Sequence, residues 1–157
     1  MDPYNISEAV SVGIKHIGIA IYSSGKIREY LIRKGYDPDT ARSAVAQLVE
    51  REYIDDIRAG RKVLASRVGR KQESKSMISQ RLKAAGVSYD AISTLISDCE
   101  DDRITCRRLI ESSFPELTVS LLLEDDLSDI ITLASRRGYS PDVTTSVIRD
   151  LINDIPT

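Results

Sequence analysis

The stretch GYDPDT, Gly35 to Thr40, reads as the end of one helix and the start of another, and it is echoed by GVSYDA at Gly86 to Ala91 and GYSPDV at Gly138 to Val143. A glycine just past a helix supplies the left-handed backbone that closes its last turn. Asp37 and Ser140 then cap the following helix, and Pro38 and Pro141 take its first position, where a missing N–H costs nothing. The three glycines are 51 and 52 residues apart, a period that signals tandem helical units.

Working outward from the glycines, apolar residues recur in register. In the preceding helix Ile27 and Leu31 match Ile78 and Leu82, then Ile130 and Ala134, each an i, i+4 pair on one face. In the following helix Ala44, Val45, Leu48 and Val49 match Leu95, Ile96, Cys99 and Glu100, then Val147, Ile148, Leu151 and Ile152; only Glu100 breaks the pattern. A leading helix, over roughly 6–21, 55–68 and 101–113, completes each unit. The predicted fold is therefore all-α: three tandem three-helix repeats, 1–54, 55–100 and 101–157, in an elongated, curved array whose units cannot bury their apolar faces alone. With Trp absent and one Phe, the core must come from Ile, Leu, Val and Ala, which suits packed helices.

Charge is distributed unevenly. The formal net charge is −2, yet between Arg58 and Lys83 nine basic residues face a single acid, Glu73. On the predicted second leading helix Arg58, Arg61 and Lys62 fall at i, i+3 and i+4 and share a stripe, beside an expected buried stripe of Ile57, Gly60, Leu64 and Val68. Arg67, Arg70 and Lys71 form the connection, and Lys75 and Lys83 lie on the border and outer face of the next helix. Arg81 falls within its apolar arc and either snorkels out or pairs with an acid. Such a block attracts an acidic protein surface or a nucleic-acid backbone.

Other candidate chemistry is weak. The acidic pairs Asp55–Asp56, Asp101–Asp102 and Asp125–Asp126, the last followed by Asp129, sit where helix N-termini favour anions, so capping explains them without a metal. His16, the single histidine, lies among Ile14, Ile17 and Ile19 and reads as a core-edge residue. Cys99 and Cys106 have no partners that complete a metal set and fit free thiols in a reducing cytosol. No phosphate loop or nucleophile elbow occurs, so an enzyme reading has no residues to carry it, and no cofactor is expected. No run of 18 uncharged apolar residues exists, and residues 6 to 22, interrupted by Glu8, Lys15 and His16, read as a helix and not as a signal peptide.

Residues 23–56, SSGKIREYLIRKGYDPDTARSAVAQLVEREYIDD, resemble the RecX family of regulatory proteins, through Lys34, Gly35 and Tyr36 and then Leu48, Tyr53, Ile54, Asp55 and, just beyond, Ala59. The likeness continues through ISQRLKAAGVSYDAI, residues 78–92, and more faintly through the third repeat. Two positions depart from the family pattern: Arg58 stands where an aromatic usually precedes the alanine, and ESK replaces a glycine before the middle helix. The resemblance implies a protein without catalytic residues that binds the RecA recombinase filament in its groove, bridges neighbouring protomers and inhibits ATP hydrolysis and strand exchange. The expected contact surface on RecA, and on any DNA it holds, is Arg58, Arg61, Lys62, Arg67, Arg70, Lys71, Lys75 and Lys83, presented by a cytoplasmic monomer. Two readings from other classes stay open: a stand-alone helix-turn-helix-like DNA-binding module, disfavoured by overall acidity and few stacking aromatics, and a helical scaffold for another protein.

Overall fold

The computed structural model describes residues 1–115 and 126–154, and all their regular structure is helical. In chain order the helices are α1 (Ile6–Ile17), α2 (Ser24–Arg33), α3 (Pro38–Glu50), α4 (Asp56–Leu64), α5 (Lys75–Ala84), α6 (Tyr89–Asp98), α7 (Asp102–Ser113), α8 (Asp126–Arg136) and α9 (Pro141–Asp154), with a 3-10 turn at Gly69–Lys71. The three glycine turns are built alike. Gly35, Gly86 and Gly138 have φ of 107°, 81° and 87°, and the next N–H, from Tyr36, Val87 and Tyr139, returns to the carbonyls of Leu31, Leu82 and Ala134 at 3.0–3.1 Å. Those carbonyls belong to residues of the repeated core pairs, all buried. Asp37, Ser88 and Ser140 cap the helices that follow.

The chain divides into two compact units, one of Met1–Val63 with Arg81–Ser97, the other of Leu64–Gln80 with Asp98–Thr157. The first has its core among α1, α2 and α3, where Ala9, Ile27, Leu31, Ala44 and Leu48 are fully buried. The second gathers Cys106, Leu109 and Ile110 of α7, Ile130 and Ala134 of α8 and Val147, Ile148 and Leu151 of α9. Each fully buried Leu or Ile is worth about 1.5–3 kcal/mol of transfer free energy.

Within each unit the start of one repeat's second helix docks on the glycine turn of the next repeat. In the first, Ser23 Oγ donates to the Ala85 carbonyl at 2.7 Å and Gly25 N–H to the Gly86 carbonyl at 2.9 Å. A Cβ on Gly25 would lie 2.7 Å from Gly86 Cα, so the approach tolerates no side chain. Asp56, at the head of α4, clamps the junction: its carboxylate accepts from Ser24 N–H at 2.7 Å, Ser24 Oγ at 2.5 Å and Ser88 N–H at 3.1 Å. In the second unit Ser74 N–H donates to the Arg137 carbonyl at 3.0 Å, beside Gly138, and Asp102 at the head of α7 accepts from Lys75 N–H at 2.9 Å. At the remaining turn Asp37 N–H donates to the Pro3 carbonyl at 2.9 Å.

Several elements are shorter than their patterns predict. α1 stops at Ile17, short of residue 21, because Gly18 turns to φ 52° and its N–H closes on Ile14. α4 ends at Leu64, so helical phase does not carry to Val68, which is 64% exposed and no part of a buried stripe. The fourth position of the second core set fails in two repeats, since Val49 is 45% exposed and Glu100, like the third-position Cys99, lies beyond the end of α6, whereas Ile152 packs against the second core. Asp125 lies outside the described residues, and of the Asp126 side chain nothing is described.

Candidate functional site

In the first unit α4 presents the basic stripe. Arg58, Arg61 and Lys62 are exposed, while Ala59 and Gly60 are buried, and a Cβ on Gly60 would collide with Leu95. The small residues thus seat one face of the helix and leave the charged face outward. Asp55 accepts from Arg58 N–H at 3.1 Å and caps the helix. Arg58 also lines a cavity of about 620 Å³ with Glu52, Asp55 and Asp90, so a carboxylate rim borders the stripe. Lys83, on α5, is exposed.

In the second unit the connection is less open than a basic loop would be. Gln72, Glu73 and Ser74 are buried. Arg67 is half-buried and 3.7 Å from Glu73, whose side chain is 4% exposed. Arg70 Nε donates to the Ser112 carbonyl at 3.0 Å, and the Arg70 carbonyl accepts from Arg137 Nη2 at 3.1 Å, tying the 3-10 turn to α7 and to the residue that follows α8. Lys75 is half-buried, and its N–H is the donor that Asp102 caps. Lys71 is exposed. Of the eight basic candidates, Arg67 and Lys75 are therefore turned into the fold, and Arg70 is exposed but anchored.

The two acidic pairs within the described residues, Asp55–Asp56 and Asp101–Asp102, share a division of labour that sequence spacing does not reveal. The first member, Asp55 or Asp101, caps its own helix; the second, Asp56 or Asp102, caps a helix of the preceding repeat. The partners, Ser24 and Ser88 for Asp56 and Lys75 for Asp102, are too ordinary to betray this. Elsewhere Arg108 grips Glu100 with two bonds of 2.9 and 3.0 Å, which holds that carboxyl below its ordinary range. Among the described residues no group of His, Cys, Asp or Glu is placed to hold a metal ion, and no helix is long and apolar enough to cross a membrane.

No protein-family model matches the chain. It is, however, 25% identical over 152 residues to the Regulatory protein RecX of Pelodictyon phaeoclathratiforme, an alignment covering 97% of this chain and 94% of that one. With the protein of the same name from Chlorobaculum tepidum it shares 22% over 154 residues, 98% of this chain and 94% of its relative. The chain is similar to RecX regulatory proteins over nearly its whole length. The crystal structure of RecX from Lactobacillus salivarius has the same fold, with a TM-score of 0.66 over 93% of this chain and 96% of that one at 13% identity. RecX of Leuconostoc mesenteroides is longer: the match takes in 96% of this chain but only 57% of that protein. The likeness read from residues 23–56 and 78–92 thus extends across nearly the whole sequence, and the all-helical expectation agrees with the fold of a solved RecX.

Proposed function

We propose that this RecX relative binds the RecA recombinase filament and inhibits its ATP hydrolysis and strand exchange, acting by contact and not by chemistry of its own. The observation that carries the reading is the alignment with RecX regulatory proteins over 97% of the chain. The exposed stripe Arg58, Arg61 and Lys62 supplies a surface suited to an acidic protein face, and Arg70, Lys71 and Lys83 add exposed charge. Arg67 and Lys75 serve the fold, so the contact rests on the other six. The three-repeat organisation into 1–54, 55–100 and 101–157 is the frame that presents them, in a monomer working in the cytoplasm.

The test is a titration of the purified protein into RecA ATPase and strand-exchange assays. Inhibition at stoichiometric ratios is expected; no change overturns the reading. Replacing Arg58, Arg61 and Lys62 together by Glu should weaken inhibition while leaving helical circular dichroism and cooperative melting intact, because exposed substitutions usually shift stability by no more than about 0.5 kcal/mol. The basic block also favours a second reading, direct binding to nucleic acid. Tight binding to one duplex sequence without RecA would promote it, with log affinity falling against log salt by roughly 0.9 per phosphate neutralised.

A further inference from the structure

The first unit holds a second surface, which shares no residue with the basic block. α1 brings Lys15 and His16 to the edge of α2, which carries Tyr30, and Lys34 caps the end of α2. The His16 and Tyr30 rings stack with centroids 3.6 Å apart and planes 10° from parallel, and Tyr22 lies 5.1 Å from His16 at 30°. Lys34 Nζ stands over the Tyr30 ring, 5.5 Å from its centroid. These groups open on a cavity of about 530 Å³ that also reaches Met1, Val12, Lys15 and Tyr36. That volume falls in the range of small-molecule sites, roughly 300–1,000 Å³. Tyr36 closes it, with its O–H already donated to Glu8 at 2.8 Å.

We infer that this cavity binds a nucleotide, with the base stacked on the Tyr30–His16 ladder and the phosphate held by Lys15 and Lys34. Rings already stacked at 3.6 Å present the plane and spacing that a base adopts on an aromatic side chain, an interaction that every base can make. Lys34 marks the spot: an ammonium over a tyrosine face is held by the ring's quadrupole, and its exposed, flexible stem lets it swing to a phosphate when a base takes its place. Lys15, also exposed, lies on the same rim. Apolar contact from Met1 and Val12 favours a flat ring over a simple anion. The ligand is a free nucleotide or one within a single strand, and the two sources share this chemistry.

His16 is the single histidine, so its imidazole Hε1 proton gives one unambiguous NMR signal. The full chain, without RecA, is titrated with a short oligothymidylate and with an abasic strand of equal length. Oligothymidylate is expected to shift the His16 resonance by ring current and to bind at least about fivefold tighter than the abasic strand, the lower bound of stacking worth roughly 1–3 kcal/mol per base. Tyr30→Leu should abolish that margin, and Lys34→Glu should weaken both strands. Charge reversal of Arg61 and Lys62 on α4 should leave the His16 shift at saturation unchanged. Competition by thymidine monophosphate identifies a free nucleotide as a ligand, and its failure against bound oligothymidylate assigns the site to strands. Equal affinity for the two strands, or a His16 signal that stays put when oligothymidylate is bound, overturns the inference, and both readouts stand on the unmodified protein.

Discussion

Glu52 occupies a position that the rest of the fold gives to glycine. Its φ is 64°, and the turn it forms, with Tyr53 N–H on the Leu48 carbonyl at 2.9 Å and Glu52 N–H on Val49 at 3.0 Å, repeats the geometry of Gly35, Gly86 and Gly138. A side chain in the left-handed region costs about 1–2 kcal/mol, partly offset in a glycine variant by the freer unfolded chain. Glu52→Gly should therefore raise stability by roughly 1 kcal/mol and the melting temperature by about 2–4 °C, as thermal unfolding would show; an unchanged or lower midpoint would refute the strain. The three glycine turns were legible because glycine advertises the backbone it permits. A glutamate in the same conformation carries no such mark, so the end of α3 could be read only from the apolar Tyr53 and Ile54 that follow. Cys106 makes a second prediction at this scale. Burial pushes its thiol up to about 11, and Cys99, half-buried, is also raised by burial. Iodoacetamide at neutral pH should modify Cys99 slowly and Cys106 only on unfolding, measured by mass spectrometry; rapid labelling of Cys106 in the native protein would contradict the packing of α7.

At the scale of elements, the carboxylate pairs decide which helix ends are secure. Asp55 closes one turn, whereas Asp56 satisfies the heads of both α2 and α6. A single cap is worth about 0.5–2 kcal/mol, and hydrogen bonds to a charged group about 1.5–3. Asp56→Ala should thus cost about 3 kcal/mol in urea unfolding against about 1 for Asp55→Ala, and equal losses would show that the clamp adds nothing. The sequence could not announce this, because Ser24 and Ser88 look like ordinary helix starts and lie 32 residues from Asp56 in opposite directions. Periodicity succeeded where a helix is long enough to bury a whole face: Ile27 with Leu31, Ile78 with Leu82 and Ile130 with Ala134 all reach the interior. It failed at Val68 because α4 had already ended, and it says nothing of the polar run Gln72–Ser74, which is buried without any apolar residue to signal it.

For the molecule as a whole, both cores hold protons that the unfolded chain releases. Burial, with the bond to Glu8, raises Tyr36 from 10.0 to about 12 in the first unit. In the second, burial raises Cys106 from 9.0 to about 11, and Tyr139 is also shifted upward by burial. The unfolded state therefore binds fewer protons above pH 9, and stability must fall as pH climbs. Urea midpoints should be level near pH 8 and drop progressively from pH 9 to 11, with Cys106→Ala removing the earliest part of the decline; a flat profile would mean that these groups are not enclosed. The junctions between repeats have a consequence of another kind. The middle repeat carries both a socket, its glycine turn at Gly86 with the leading carboxylate Asp56, and a plug, the start of its second helix at Ser74. A duplication of that repeat therefore copies the two mating parts together, and a lineage built this way can gain a repeat without inventing an interface. Whole repeats, not single helices, are the coinage in which such a chain can lengthen.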